Sequence, residues 1–268
     1  MLGTGSRGNA VLFESGGARL LIDAGFGLRT LEARLREAGV SPASVSACVI
    51  THEHVDHVRG AAPAAQQWGW ALHASEGTLR ACPALAVAGA TAFRAGDTFG
   101  VDGFEVQTAA TPHDARESVA VAVTGRATGA RGAVCYDLGA ATDGVRALLV
   151  GAEAVVLEAN HDEGMLRAGP YPPSVAARIA GRQGHLSNAA AARLARDVAR
   201  PGLRHVILAH LSEQCNAPHL AADAVQGALA GTRFRGVVTP AAQDAVLGPV
   251  ALTTRSRARD AGQLALDL

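Results

Sequence analysis

Seven residues, Thr51-His52-Glu53-His54-Val55-Asp56-His57, restrict this chain more than any other stretch. They follow an apolar run, Val45 to Ile50, that reads as a buried strand, and they precede a stretch with apolar residues at helical spacing. Three imidazoles and two carboxylates within six positions are costly to desolvate unless something ligates or neutralises them. Neutral imidazole nitrogens and carboxylate oxygens are ligands that Zn²⁺, Mn²⁺ and Fe²⁺ accept. The segment is therefore expected to be a strand-to-helix junction that holds metal; the bland alternative is a solvated polar turn.

At 268 residues the chain is long enough to bury a sizeable core. Its 49% apolar and 18% charged content is that of a globular protein. Formal net charge is zero, so bulk charge argues for no nucleic-acid partner, although a local patch would suffice to bind one. All 24 basic residues are arginine, the better bidentate phosphate donor. Four scattered cysteines form no CxxC pair, and Cys48 and Cys135 sit in apolar runs as buried free thiols. No signal peptide and no apolar run of membrane-spanning length is evident, so the expected setting is cytoplasmic, with no membrane.

A glycine-rich loop, Gly3 to Asn9, leads into strand-like runs Ala10 to Glu14 and Arg19 to Asp23, parted by Gly16-Gly17. The loop reads equally as a phosphate cradle or as a plain turn. Asp23 is placed to cap the next segment or to brace a metal ligand. Helices are expected over Leu28–Glu37 and Val58–Trp68, with a short one capped by Ser75; strands are expected over Trp70–His73, Thr91–Arg94, Phe104–Thr111, Ser118–Thr124 and Gly132–Leu138. Beyond residue 140, helix and strand alternate: helix Thr142–Val150, strand Ala154–Leu157, an irregular stretch around Gly169–Pro173, helix Ala189–Ala199, strand Arg204–Ala209 and helix Pro218–Leu229. No repeat or linker divides the chain. One domain over residues 1–250 is expected, with 251–268 as a C-terminal tail.

Histidines and aspartates recur where apolar runs end: the first cluster, then His113 after Thr111-Pro112, Asp137 after Tyr136, and His210 after Ala209. HxHxDH followed by a lone His, a lone Asp and a late His resembles the metallo-β-lactamase fold superfamily. The likeness is nearer to the YycJ/WalJ-type hydrolases and covers nearly the whole chain. It rests on Leu21-Ile22-Asp23-Ala24-Gly25, Thr-His-Glu-His-x-Asp-His, Glu76-Gly77-Thr78, Pro112-His113-Asp114-Ala115 and Tyr136-Asp137-Leu138-Gly139. Glu158-Ala-Asn-His-Asp, Gly169-Pro-Tyr-Pro, Gly184-His-Leu-Ser-Asn and Leu208-Ala-His-Leu-Ser complete it. The resemblance implies an α+β, four-layer αββα sandwich with the site at one edge of two sheets, and a metal-dependent 5′→3′ exonuclease acting on DNA. That family carries a strand before the Gly/Ser loop, where this chain offers only Met1-Leu2, so a short edge strand or a later start is expected here.

Carried over position by position, the superfamily roles give His52, His54 and His113 to a first divalent ion and Asp56, His57 and His210 to a second, with Asp137 shared. Two such ions, Mn²⁺ or Zn²⁺, lower the pKa of a bridging water from about 15.7 to about 7 and clamp phosphoryl oxygens in an in-line displacement. Glu158 and His185 resemble the proton-donating pair of the tRNase Z branch. His185 is thus the expected general acid and phosphate contact, Glu158 the group that holds its tautomer, and Asp56 a further catalytic candidate. His185 merely capping the helix after it is the competing account. His161 is expected to line the same cleft, and His73, His205 and His219 to be structural. Glu53 and Val55 are expected to point away, as packing positions or behind the ligands.

The chain closes with Gln263-Leu264-Ala265-Leu266-Asp267-Leu268, which resembles the bacterial sliding-clamp-binding hexapeptide; a clamp partner through Gln263–Leu268, and a homodimer completing a DNA groove, are expectations of the same kind. Rival readings are a small-molecule hydrolase of this fold (thioesterase, lactonase or cyclic phosphodiesterase), a mononuclear-iron dioxygenase, and a binding protein with a vestigial site. The Glu158/His185 pair favours phosphodiesters over esters, and the complete second-metal set disfavours the dioxygenase.

Overall fold

Val119-Ala-Val-Ala-Val shows how this chain builds layers: valines alternate with alanines, and every one of the five side chains is buried. A strand that is apolar on both faces must lie between two layers. Val119, Val121 and Val123 point into the space between two sheets, whereas Ala120 and Ala122 meet helices on the other side. An aspartate at Val121 would bury an unpaired charge between the sheets, at a cost of several kcal/mol.

The computed structural model describes residues 1–252; Gln263–Leu268 lies outside the described residues. One sheet is formed by β1 (Val11–Ser15), β2 (Ala18–Ile22), β3 (Ala47–Ile50), β4 (Ala71–Ser75) and β5 (Thr91–Phe93), in that order. The other runs β12-β11-β10-β9-β8-β7-β6, from β6 (Thr98–Val101), β7 (Phe104–Ala110), β8 (Val119–Gly125) and β9 (Arg131–Cys135) to β10 (Ala154–Glu158), β11 (His205–Ala209) and β12 (Val237–Pro240). Pairing within β6–β9 is antiparallel, whereas β9 to β12 are parallel, as are β2 to β5.

Three apolar clusters fill the three gaps of an αββα sandwich. Leu20, Ile22, Val49, Val106, Val134 and Val156 lie between the sheets. Leu31, Leu35 and Ala61 of α1 (Leu28–Glu37) and the helical stretch after residue 60 cover the first sheet. The second is covered by Val145, Leu149, Leu194 and Val225 of later helices. Each fully buried Val, Leu or Ile contributes roughly 1.5–3 kcal/mol.

The expected helix over Val58–Trp68 is two: α2 (Val55–Val58), which carries Asp56 and His57, and α3 (Ala61–Trp68). α4 (Glu76–Ala81) is capped by Ser75 Oγ, and α5 (Pro83–Val87) comes next. After α6 (Asp143–Leu149) the irregular stretch around Gly169–Pro173 is found, and it is flanked by two helices not among those expected from the sequence, α7 (Glu163–Ala168) and α8 (Pro173–Ile179). α8 has no buried residue, so it shows no apolar stripe to read; Pro173 begins it where the missing N–H is harmless. α9 (Asn188–Val198) and α10 (Pro218–Leu229) complete the helical cover. The edge strands β6 and β12 also carry no signal, being short and interrupted by Gly100 and Pro240. Near the N-terminus Gly3 and Ala10 form an isolated antiparallel bridge, with Leu2 N–H donating to Ala10 (2.9 Å) and Ala10 N–H to Gly3 (3.2 Å). Among the described residues no helix is long and apolar enough to cross a membrane.

Candidate metal centre

The carboxyl ends of the parallel strands meet at one edge, and Val119 N–H donating to Thr51 (3.1 Å) ties the two sheets together there. β2 delivers Asp23, β3 Thr51 and His52, β9 Asp137, β10 Glu158 and β11 His210, while the loop after β7 delivers His113. Asp23, Asp137 and His210 each leave their strand in the left-handed region, at φ 60°, 54° and 54°. Non-glycine residues there cost of order 1–3 kcal/mol and persist where surrounding contacts enforce them, commonly at functional sites.

The side chains expected to act together are brought together. Donor atoms gather within 4.8 Å in four overlapping sets: His52, His54 and His113; Asp56, His57 and His210; His52, His57 and Asp137; and Asp137, Glu158, His185 and His210. Asp137 lies between the first two sets, with Oδ2 2.9 Å from His57 Nε2 and Oδ1 4.0 Å from His113 Nε2 and 3.5 Å from His210 Nδ1.

Hydrogen bonds behind this set aim the imidazoles. His57 Nδ1 lies 2.7 Å from Asp23 Oδ2, and Asp23 also accepts from Thr51 N–H (2.8 Å), Thr51 Oγ1 (2.8 Å) and Tyr136 Oη (2.6 Å). Thr51 Oγ1 gives its proton to Asp23, so it accepts from His52 Nδ1 at 3.0 Å. His113 Nδ1 donates to Gly184 O at 3.1 Å. Each bond holds the proton on Nδ1 and turns the Nε2 lone pair inward, the arrangement that metal-binding histidines use.

Two atoms then have nothing to bind: His52 Nε2 and Asp137 Oδ2 are buried without a hydrogen-bond partner. The 2.9 Å approach of Asp137 Oδ2 to His57 Nε2 is close but not aligned as a hydrogen bond, as two ligands of one cation would stand. Charge argues alike. Burial drives His52 well below the usual histidine range and lowers His113, leaving neutral imidazoles. Against burial, Asp137 and Asp23 raise His57 strongly, and Asp137 with hydrogen bonds to Asp56 and Glu158 raises His210 to about 10. Asp56 and Asp137 thus favour a proton on the Nε2 side of His57, and Asp56 on that of His210, which a divalent cation would displace, while Asp23 keeps the Nδ1 proton of His57 in place. The donor set fits such ions.

Glu158 is fully buried and accepts from Leu138 N–H (3.1 Å), Leu186 N–H (3.0 Å) and His185 Nδ1 (2.7 Å). His185 Nδ1 is also 3.4 Å from Asp137 Oδ1, and its side chain is 22% exposed, so its free edge faces solvent beside the centre. The cap of α9 is Ser187, whose Oγ accepts from Ala190 N–H (3.2 Å), and not His185.

Several further residues support this set in ways that only their contacts reveal. Asn9 Oδ1 accepts from Thr4 Oγ1 (2.8 Å) and Gly5 N–H (3.0 Å), while its Nδ2 reaches Asp56 Oδ2 (3.2 Å) and His57 Nε2 (3.1 Å). Thr4 Oγ1 accepts from His210 N–H (2.9 Å). The glycine-rich loop therefore wraps the second donor set; Gly25 lies against it, where any Cβ would strike the Asp56 carbonyl. Asp114 Oδ1, 3.3 Å from His113 Nε2, adds a carboxylate at the rim. Glu53 takes Arg116 N–H at 2.6 Å and so pins the His113 loop. Val55 packs on nothing comparable: it is 59% exposed because α2 starts at that residue and turns it outward. His73 stacks on Phe99, and among the described residues neither His205 nor His219 joins a donor cluster.

Two cavities matter. One of about 660 Å³ has no histidine in its lining, which includes Val11, Phe13, Phe104, Val156 and Leu247. The other, about 480 Å³, adjoins His185 and has His161 on its wall.

Residues 3–139 match the family described as the metallo-beta-lactamase superfamily. The chain is 34% identical over 233 residues to a Bacillus anthracis protein named exodeoxyribonuclease YycJ, covering 85% of this chain and 88% of that one. It is 30% identical over 228 residues to exodeoxyribonuclease WalJ of Streptococcus pneumoniae, covering 82% and 84%. Among solved structures it is similar to the metallo-beta-lactamase fold protein YhfI from Bacillus subtilis, with TM-score 0.68, 18% identity and 90% and 93% coverage. The short form of human tRNase Z gives TM-score 0.61, 18% identity and 93% and 98% coverage. At such identities the structural likeness shows the fold alone.

Proposed function

This chain belongs to the metallo-beta-lactamase superfamily, and from that premise we propose that it is a metal-dependent phosphodiesterase, a DNA 5′→3′ exonuclease. The single observation that carries the reading is Glu158–His185: a fully buried carboxylate fixes Nδ1 of an imidazole whose other edge faces solvent next to Asp137. A thiolate departs readily without such a donor, whereas a sugar 3′-oxygen would leave as a strongly basic alkoxide unless it is protonated. The names carried by the relatives at 34% and 30% identity support DNA as the substrate.

His52, His54 and His113 would hold one divalent ion and Asp56, His57 and His210 another, with Asp137 facing both; histidine–carboxylate sets accept Mn²⁺ and Zn²⁺ alike. When bound, such ions acidify a coordinated water, so that its proton passes to solvent, and offset charge on the phosphoryl oxygens. This chain's residues do the rest. Asp23 and Thr51 fix the direction of His57 and His52. Against the effect of burial, His210 and His57 draw Asp56 well below the carboxylate range, so it serves as a ligand and is too acidic to be the base. As the water oxygen bonds to phosphorus, the P–O3′ bond breaks with its electron pair on the 3′-oxygen, to which His185 Nε2 supplies the proton. Glu158 acts through His185, as a positioning residue. The raised His185, whose burial is outweighed by Glu158, suits a donor that is charged near neutral pH.

The test is incubation of the purified protein with Mn²⁺ or Zn²⁺ and DNA labelled at either end, beside an Asp137→Ala control. Metal-dependent release of mononucleotides from the 5′ end is expected, absent in the control. Intact DNA with turnover of a thioester or lactone would overturn the reading.

A further inference from the structure

The cavity of about 480 Å³ beside His185 is within the roughly 300–1,000 Å³ of small-molecule sites. Its floor is built from His161, Leu166 and Ser187, all buried. Arg167, in the last turn of α7, and Arg193 of α9 line the same space, and among the described residues neither guanidinium has an ion pair or hydrogen bond. Among the described residues the wall carries one carboxylate, Glu163, which accepts from Ser187 Oγ at 3.0 Å, so two positive charges face one negative.

Position gives this cavity its meaning. His185 is the side chain it shares with the candidate metal centre, and none of the seven expected metal ligands lines it. If His185 protonates the departing 3′-oxygen, the nucleotide that carries that oxygen lies on the far side of the imidazole from the metal ligands. We propose that this cavity takes the 5′-terminal nucleotide of the strand and that Arg167 and Arg193 bind its 5′-phosphate. The inference rests on the exonuclease reading and deepens it: cleavage from an end follows because only a terminal nucleotide brings a phosphate monoester to these arginines. Guanidinium forks match the monoester's oxygens in a bidentate way.

The experiment has two arms, each run on the full chain as wild type, as Arg167→Ala/Arg193→Ala and as Arg193→Glu, with Arg200→Ala as an exposed-arginine control. The first compares the rates of digestion of the same DNA with a 5′-phosphate and with a 5′-hydroxyl. Wild type is expected to prefer the phosphate by about tenfold or more, and the cavity variants to lose that preference. The second measures calorimetric binding of deoxyadenosine 5′-monophosphate and of deoxyadenosine with metal chelated. Binding of the monophosphate alone, lost in the cavity variants and kept in the control, is expected. Equal digestion of both ends by wild type, or a preference that survives in the variants, overturns the inference. If wild type leaves all DNA intact, the exonuclease reading fails, and the second arm still decides whether the cavity holds a nucleotide phosphate.

Discussion

Nδ1 of His57 lies 2.7 Å from Oδ2 of Asp23, and neither side chain meets solvent. The carboxylate is also the acceptor for Thr51 and Tyr136, so one buried group orients His57 directly and His52 through Thr51. An asparagine in its place keeps the shape but turns an acceptor into a possible donor facing Nδ1. We expect Asp23→Asn to weaken divalent metal binding about 10–100-fold, the usual effect of losing a carboxylate behind a histidine ligand. Calorimetric titration of Zn²⁺ into the chelator-stripped protein checks it; unchanged affinity would mean that Asp23 serves the fold alone.

His185 separates substrates by their leaving group. For DNA, His185→Gln is expected to lower the rate about 10²–10⁴-fold, the range for loss of a general acid. With thymidine 5′-(p-nitrophenyl phosphate) the nitrophenolate departs without a proton, and the loss should be far smaller. Equal losses on both substrates would point to His185 as a binding group only.

Acid should loosen the metal-free protein through Glu158. Burial alone would raise its carboxyl, but the charge and hydrogen bond of His185, with a further bond from His210, hold it at about 2 against an ordinary 4.5. The folded value lies below the unfolded one, so the stabilisation is present above about 4.5 and is lost as pH falls toward 2. Denaturant unfolding with chelator, at about pH 6 and about pH 3, should show a larger loss for wild type than for Glu158→Gln. Identical losses would assign the acid sensitivity to other groups.

Thiol chemistry reports on the layers. Cys48 and Cys135 are buried and burial pushes both thiols up, Asp23 and Glu158 adding to it, while Cys215 is closed off and Cys82 is half-buried. A disulfide reagent should modify Cys82 in the folded protein and reach the other three on unfolding. Rapid modification of Cys48 or Cys135 would contradict the packing of β3 or β9.

The donor side chains are legible in the sequence because each stands next to an apolar run that has to be a strand, so strand ends and chemistry coincide at His52, Asp137 and His210. The residues that aim them are less so. Tyr136 reaches Asp23 across 113 positions and Thr4 meets His210 across 206, contacts that only the closed sandwich creates. Asp23 stands out because it ends a strand beside glycines; Asn9 looks like part of a loop, and its amide is specific only once Asp56 arrives. α7 and α8 are hidden for another reason. They form an outer wall, with Leu166 the one buried residue of α7 and none in α8, so neither shows the apolar stripe that marks a helix, though they border the cavity beside His185.

The left-handed backbone at Asp23, Asp137 and His210 sets stability and reactivity against each other. Glycine is the residue that relaxes such a turn, and it brings no oxygen or nitrogen. Comfort at these three strand ends is thus open only to a chain that gives up a donor or its brace. The working edge of the sandwich is the part of the fold that ordinary optimisation for robustness would dismantle first.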